Sequence, residues 1–130
     1  MTVPYPDPAV ITLLGELPCL APVGGRVSTQ LDSTLPALRI TKVSDREGPT
    51  PQEATPLFQV EVWAEDEFIA GSLAWALRNE WPSAKRQLVG DTLVYGRWIA
   101  ADPTPSPDPE TDLPRFLVTV GIRLSGATPS

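Results

Sequence analysis

The stretch Leu57-Phe58-Gln59-Val60-Glu61-Val62-Trp63-Ala64, running directly into Glu65-Asp66-Glu67, decides how this chain is read. Phe58, Val60 and Val62 alternate with Gln59 and Glu61, and Leu57 and Trp63 flank the polar side. A period of two marks a strand with one face in a core. The three acids then open a helix, because negative charge in the first turn complements the helix dipole. Phe68, Ile69, Ser72, Leu73 and Ala76 form a stripe about one helix face wide, with Leu77 at its edge, the pattern of a helix packed on a core. Ala70, Gly71 and Ala74 lie opposite. Alanine favours helix and needs no other reason to be there, but glycine lowers helix propensity. This flat face therefore reads equally as plain helix composition or as a surface that admits another helix or subunit. Arg78 sits near the C-terminal end, and Pro82 stops the helix after Trp81.

Working outward, a first helix is expected from Asp7-Pro8, with Asp7 as N-cap and Pro8 in the first turn. Val10, Leu13, Leu14 and Leu17 carry its helical spacing, and Pro18 ends it. Gly24-Gly25 turns the chain into a strand over about residues 26–31, with Val27, Thr29 and Leu31 on one face. Residues 32–36 form a turn. A second strand covers residues 37–44, where Leu38, Ile40 and Lys42 alternate with Arg39, Thr41 and Val43. Residues 45–56 hold three prolines and a glycine among polar residues and read as a loop. Beyond the second helix, one strand is expected over residues 92–101, with Leu93, Tyr95, Arg97 and Ile99 against Val94 and Trp98. Another covers residues 115–124, with Phe116, Val118, Val120 and Ile122 on one face. Between them, residues 102–114 contain five prolines and four acids, which favours an extended, polyproline-like excursion over a hairpin turn.

The order α-β-β-β-α-β-β gives an α/β (α+β) fold: a largely antiparallel or mixed sheet of about five strands packed by two helices. The 130 residues read as one domain, with long loops at about 45–56 and 102–114 and a short flexible C-terminal tail.

Composition excludes much chemistry. Histidine is absent, which removes the side chain that titrates near neutrality and the commonest metal ligand. The single cysteine, Cys19, permits no internal disulfide and no cysteine-based zinc site. With no histidine to activate it, it reads as a small buried apolar residue. The net charge of −6 is the reverse of a nucleic-acid-binding footprint, yet compatible with a channel wall along which DNA slides. Consecutive Glu65, Asp66 and Glu67 point in different directions and cap a helix; they do not form a paired acid and base. Asp108, Glu110 and Asp112 carry oxygen ligands suited to calcium, but the intervening prolines break any loop of that kind. The glycines match no phosphate-binding pattern. No basic, apolar leader and no membrane-length apolar run is present, so synthesis and use in a cytoplasm, or packaging there into a particle, is expected. No enzyme activity, cofactor or metal is expected. Trp63, Trp75, Trp81 and Trp98 are a modest excess of a residue that favours cores and interfaces alike.

Taken in order, the Leu38-Arg39-Ile40 segment, the loop, the strand Phe58–Ala64 entering a helix near Asp66, and the late Asp112-Leu113-Pro114-Arg115-Phe116-Leu117-Val118-Thr119-Val120 segment resemble the tail-terminator proteins of siphophages that infect actinobacteria, such as mycobacteriophages. The resemblance covers roughly Pro8 to Leu124 and includes no catalytic signature. It implies a virion protein at the head–tail junction, assembled in the host cytoplasm as a homo-oligomeric, hexameric ring. Such a ring caps the tail tube, stops its polymerisation and joins tail to head. The implied partners are further copies of the chain, the major tail tube protein and a neck or head-completion protein; DNA is only cargo through the lumen, and no membrane is involved. A closed ring needs two unlike patches on each subunit. Candidate contact residues are Arg46, Glu47 and Glu53 in the first loop, Ala70, Gly71, Ala74 and Arg78 on the second helix, Trp98, and Asp108, Glu110, Asp112 and Arg115 at the second loop. Removing residues 103–110 is expected to spare the fold and weaken docking. The competing readings are a head-completion or neck connector protein, and a cytosolic ligand-binding domain.

Overall fold

The computed structural model describes residues 5–44 and 53–126. The chain begins with α1 (Asp7–Gly15), continues through a 3-10 helix (Pro18–Val23), and enters β1 (Val27–Ser28) and β2 (Ala37–Ser44). Then come β3 (Glu53–Ala54), β4 (Leu57–Trp63), α2 (Glu67–Glu80), β5 (Gln87–Val89), β6 (Thr92–Pro105) and β7 (Arg115–Gly126). The fold is α+β. The strands make one mixed sheet in the order β1-β2-β4-β7-β6-β5, with β3 also on β7. β1 runs parallel to β2; every other described pairing is antiparallel.

The register follows from the alternation in β4. Phe58, Val60 and Val62 pair with Val120, Val118 and Phe116 of β7, so six apolar side chains share one face of the sheet. All six are buried, together with Ile122 and Leu124 from β7 and Leu38 and Ile40 from β2. The helices cover that face. α1 contributes Ala9, Val10, Leu13 and Leu14; Leu17, Leu20 and Val23 follow, the last two in the 3-10 helix, a segment the sequence reading did not resolve beyond its proline stop. Pro6, not Asp7, is the N-cap of α1, and Pro8 lies in the first turn as expected. Gly24 and Gly25 take positive φ (61° and 82°) and turn the chain into β1, a conformation that glycine adopts without strain.

Four expectations are corrected. First, the sheet has seven strands in place of about five. The additions are β3 and β5. β5 forms a hairpin with β6 through the two residues Gly90-Asp91, with Gly90 at φ 58°. Second, the strand expected over residues 26–31 lasts only two residues. Local hydrogen bonds, Gln30 N–H to Ser28 Oγ and Thr34 N–H to Asp32 Oδ1, hold the following segment in turns instead of a ladder. Third, residues 102–105 are part of β6. A register shift between Ala101 and Thr104 spans Asp102 and Pro103, so Pro103 falls where no ladder bond is needed. The remaining nine residues form an ordered turn. Ser106 N–H donates to the Arg115 carbonyl at 2.7 Å, Asp112 N–H to the Asp108 carbonyl at 2.8 Å, and Asp112 itself sits at φ 59°.

Fourth, α2 is rotated about its axis: Leu73 and Leu77 of the expected stripe are buried, but Phe68, Ile69 and Ser72 are exposed, and Ala70 and Ala74 take their place in the core. Its buried residues are Ala70, Leu73, Ala74 and Leu77, followed by Trp81. Phe68 is 82% exposed, Ile69 48% and Trp75 45%. Spacings of four, three and four from Ala70 to Trp81 keep one face on the sheet. Small residues on that face let the helix backbone sit close: a Cβ on Gly71 would lie 3.0 Å from Phe116 Cζ. Trp81, fully buried, anchors the end by donating its indole N–H to the Gly121 carbonyl at 3.1 Å. Asp66 caps the start, its Oδ1 accepting from the N–H groups of Phe68 and Ile69. The small-residue face thus admits a close neighbour, and that neighbour is the sheet of the same chain.

Candidate functional site

With Ala70 and Ala74 in the core, the opposite side of α2 is left in solvent. Phe68, Ser72 and Trp75 recur at spacings of four and three and share one line along the first two turns. Beside them, Gly71 exposes the edge of Phe116 from β7. These residues and Glu67 line an open groove of about 370 Å3. An exposed apolar strip beside a rim of Glu65, Asp66 and Glu67 is the type of surface that proteins use for one another. It offers aromatic area and a negative border.

The sheet face away from the helices is organised by charge. Glu61 on β4 is 4% exposed and is held by two arginines. Arg39 from β2 donates to both carboxylate oxygens, with Nη2 at 2.9 Å from Oε1, and Arg115 from β7 donates Nη1 to Oε1 at 3.1 Å. Arg115 also donates Nε to the Ser106 carbonyl at 2.8 Å and lies 5.1 Å over the Trp63 ring. The register places Arg39 directly opposite Glu61, and Trp63 opposite Arg115. The Glu61 carboxylate raises the Arg39 pKa further by hydrogen bonding. Ion pairing and burial tie this carboxylate into the structure. It locks the base of the β6–β7 turn onto three strands.

Cys19 is half-buried, and its backbone N–H donates to Glu80 Oε1 at 3.2 Å. Burial, aided by a hydrogen bond to Glu80 and by the Glu80 charge, pushes its thiol up to about 12. A thiol held protonated in this way is a poor nucleophile. Among the described residues no group of three His, Cys, Asp or Glu side chains could hold a metal ion, and no helix is long and apolar enough to cross a membrane.

The candidate contact residues separate accordingly. Arg46 and Glu47 lie outside the described residues, as do most of the first loop and the C-terminal tail. Glu53 is on β3, 3.9 Å from Arg123, which itself stacks 5.0 Å over Tyr95. Ala70, Gly71 and Ala74 face their own core; Gly71 alone of the three also reaches the groove. Arg78 bridges to Asp102 at 2.9 Å, tying α2 to β6. Trp98 packs flat over Gly121, where a Cβ would overlap its indole, and keeps about a third of its surface exposed. Asp108 accepts from the Thr111 hydroxyl at 2.6 Å, which with the Thr111 amide holds its carboxyl below the usual range. Glu110 is exposed at the same turn, beside Asp112. Arg115 is an internal clamp. The expected stripe places Phe68 on the core and leaves Trp75 open between core and interface; the structure exposes both, beside the edge of the buried Phe116. The 3.6-residue spacing of Ala70, Ala74, Leu77 and Trp81 was the signal that could have shown this.

No family profile and no curated protein sequence matches the chain. Among solved structures, a chain of one described as "Virion of native gene transfer agent (GTA) particle" superposes with a TM-score of 0.64 at 16% sequence identity, over 90% of this chain and 92% of that one. At that identity the likeness is one of fold.

Proposed function

We propose that this chain is a structural subunit of a phage-like virion, and within it the tail terminator: a ring that caps the tail tube, stops its growth and joins tail to head. The observation that carries the reading is the strip of Phe68, Ile69 and Trp75 left outside a core that closes without it. Aromatic side chains exposed in line on a rigid helix are stabilised by a partner surface. A fold shared over nine-tenths of its length with a chain of a gene transfer agent virion supports a virion setting.

In this reading the activity is geometric. The sheet and its two helices form a stiff body, the Glu61 clamp fixes the β6–β7 turn, and unlike patches on neighbouring copies close a hexameric ring. No bond is made or broken and no cofactor is used. The net charge of −6 keeps DNA from adhering to the lumen through which it passes. The ring contacts the major tail tube protein on one side and a neck or head-completion protein on the other.

The test is electron microscopy and light scattering of the purified chain, free and mixed with tail tubes. Rings at tube ends are expected, with tubes of uniform length when the chain is present during polymerisation. A chain that stays monomeric beside tubes, or that co-purifies with capsids and not with tubes, would refute the terminator assignment; the second outcome selects the neck connector.

A further inference from the structure

The ring reading requires two unlike patches but does not name them. One is the groove on the first two turns of α2, lined at its end by Glu67, with Glu65 two residues earlier in the chain; both are exposed and make no salt bridge among the described residues. Its complement in charge lies past the other end of the same helix. After Trp81 the chain bridges to β6 through Ser83 and Arg97 and then presents Lys85 and Arg86. Both are exposed and likewise make no salt bridge among the described residues. Two residues on, Leu88 stands 62% exposed on β5, the last strand of the sheet order. Leu88 pairs with Leu93 across the ladder, and Gln87 beside it is bound to Glu16, so the strand that carries the knob is held in place.

A 14-residue helix is about 21 Å long, so the acidic groove and the basic edge stand too far apart to satisfy each other within one subunit. One patch has aromatic walls and a negative border. The other has an aliphatic knob and two cations. Their unlikeness makes the contact heterologous, and contacts of that type repeat around a ring. We infer that the α2 groove of one copy receives the Lys85–Val89 edge of the next. Leu88 seats between Phe68 and Trp75, and Lys85 and Arg86 lie against Glu65 and Glu67. This inference rests on the ring reading and goes beyond it by fixing which surfaces meet. Asp66 takes no part, because its carboxylate is occupied as the helix cap.

Charge reversal tests it in the full chain at exposed positions that the fold does not use. The double variants Glu65→Lys with Glu67→Lys, and Lys85→Glu with Arg86→Glu, should each weaken self-association in sedimentation velocity by about tenfold or more, because like charges then meet at the contact. Mixing the two variants in equal amounts should restore assembly, since every contact in an alternating ring is again between opposite charges. Circular dichroism of each variant alone checks that the fold is retained. Wild-type rings together with variants that assemble as well as wild type would overturn this pairing and leave the ring reading standing. So would a Phe68→Asp variant that forms rings but no longer binds tubes, since the groove would then take the tube protein. A wild-type chain that forms no ring, free or on tubes, would remove both.

Discussion

Replacing Glu61 with leucine removes the carboxylate on which Arg39 and Arg115 converge. Three charge-assisted hydrogen bonds vanish at once, and both cations keep their positive charge. Breaking a buried ion pair by deleting one partner costs about 3–5 kcal/mol, because the other is left uncompensated. Here the two survivors differ. The Arg39 side chain is 38% exposed and turns toward water at little cost; that of Arg115, at 16%, is confined by Ser106 and Trp63. The penalty therefore belongs at the low end, about 3 kcal/mol, and Glu61→Gln, which keeps shape and one acceptor, should lose about 2 kcal/mol. Urea unfolding followed by tryptophan fluorescence measures this well, since Trp63 and Trp81 are buried in the native state. With a slope of about 1.5 kcal/mol/M, the midpoint of Glu61→Leu should fall by about 2 M. Proteolysis within residues 106–114 should quicken alongside, because Arg115 anchors that turn. A midpoint within about 0.3 M of wild type, less than the scatter of such extrapolations, would show that the cluster contributes nothing and that the clamp is misread.

Three further outcomes are expected. Gly71→Ala should be close to neutral, as a helix-propensity gain of about 1 kcal/mol offsets mild crowding of Phe116, whereas Gly71→Leu should lose about 2 kcal/mol by overpacking, measured by the same urea titration. Cys19 should react slowly with iodoacetamide at pH 8.5 in the folded chain and readily in urea. Because its folded pKa, about 12, lies above the ordinary 9.0, its contribution to stability is present below pH 9 and lost as pH rises toward 12, so Cys19→Ala should flatten the decline of stability across that window. Shortening the turn by replacing residues 107–112 with two glycines should change stability by less than about 1 kcal/mol, since Ser106 and Arg115 remain, and should weaken docking to tubes in a pelleting assay. The wider removal of residues 103–110 is the poorer experiment, because it also takes Thr104 and Pro105 out of their pairing with β7.

Some of this was legible in the residues and some was not. Alternation in Phe58, Val60 and Val62, and again in Phe116, Val118, Val120 and Ile122, fixed the two central strands and their buried faces, because period-two burial needs no partner to be recognised. Asp66 as a cap and Gly24-Gly25 as a turn were equally local. The absence of histidine, which removes the side chain that titrates near neutrality, was equally plain. What the residues misplaced was the rotation of α2: the expected stripe sets Phe68 and Ile69 on the core, and the structure leaves both exposed. One face carries Phe68 and Trp75; the other has Ala70, Gly71 and Ala74 near its start and Leu77 and Trp81 at its end. Across β6 and β7, the small residues near the start bring the helix backbone close to Phe116, and Trp81 at the end seats on Gly121. Only the packed sheet chooses between the two faces, and its choice leaves Phe68 and Trp75 in solvent. Likewise, Glu61, Arg39 and Arg115 are 22 and 54 residues apart and share no local signal; strand register brings them together. Periodicity and capping thus determined the elements, because those are properties of neighbouring residues. The contacts between elements, and with them the surface left for another molecule, were decided by tertiary packing, because they depend on which side of each element the rest of the chain has already covered.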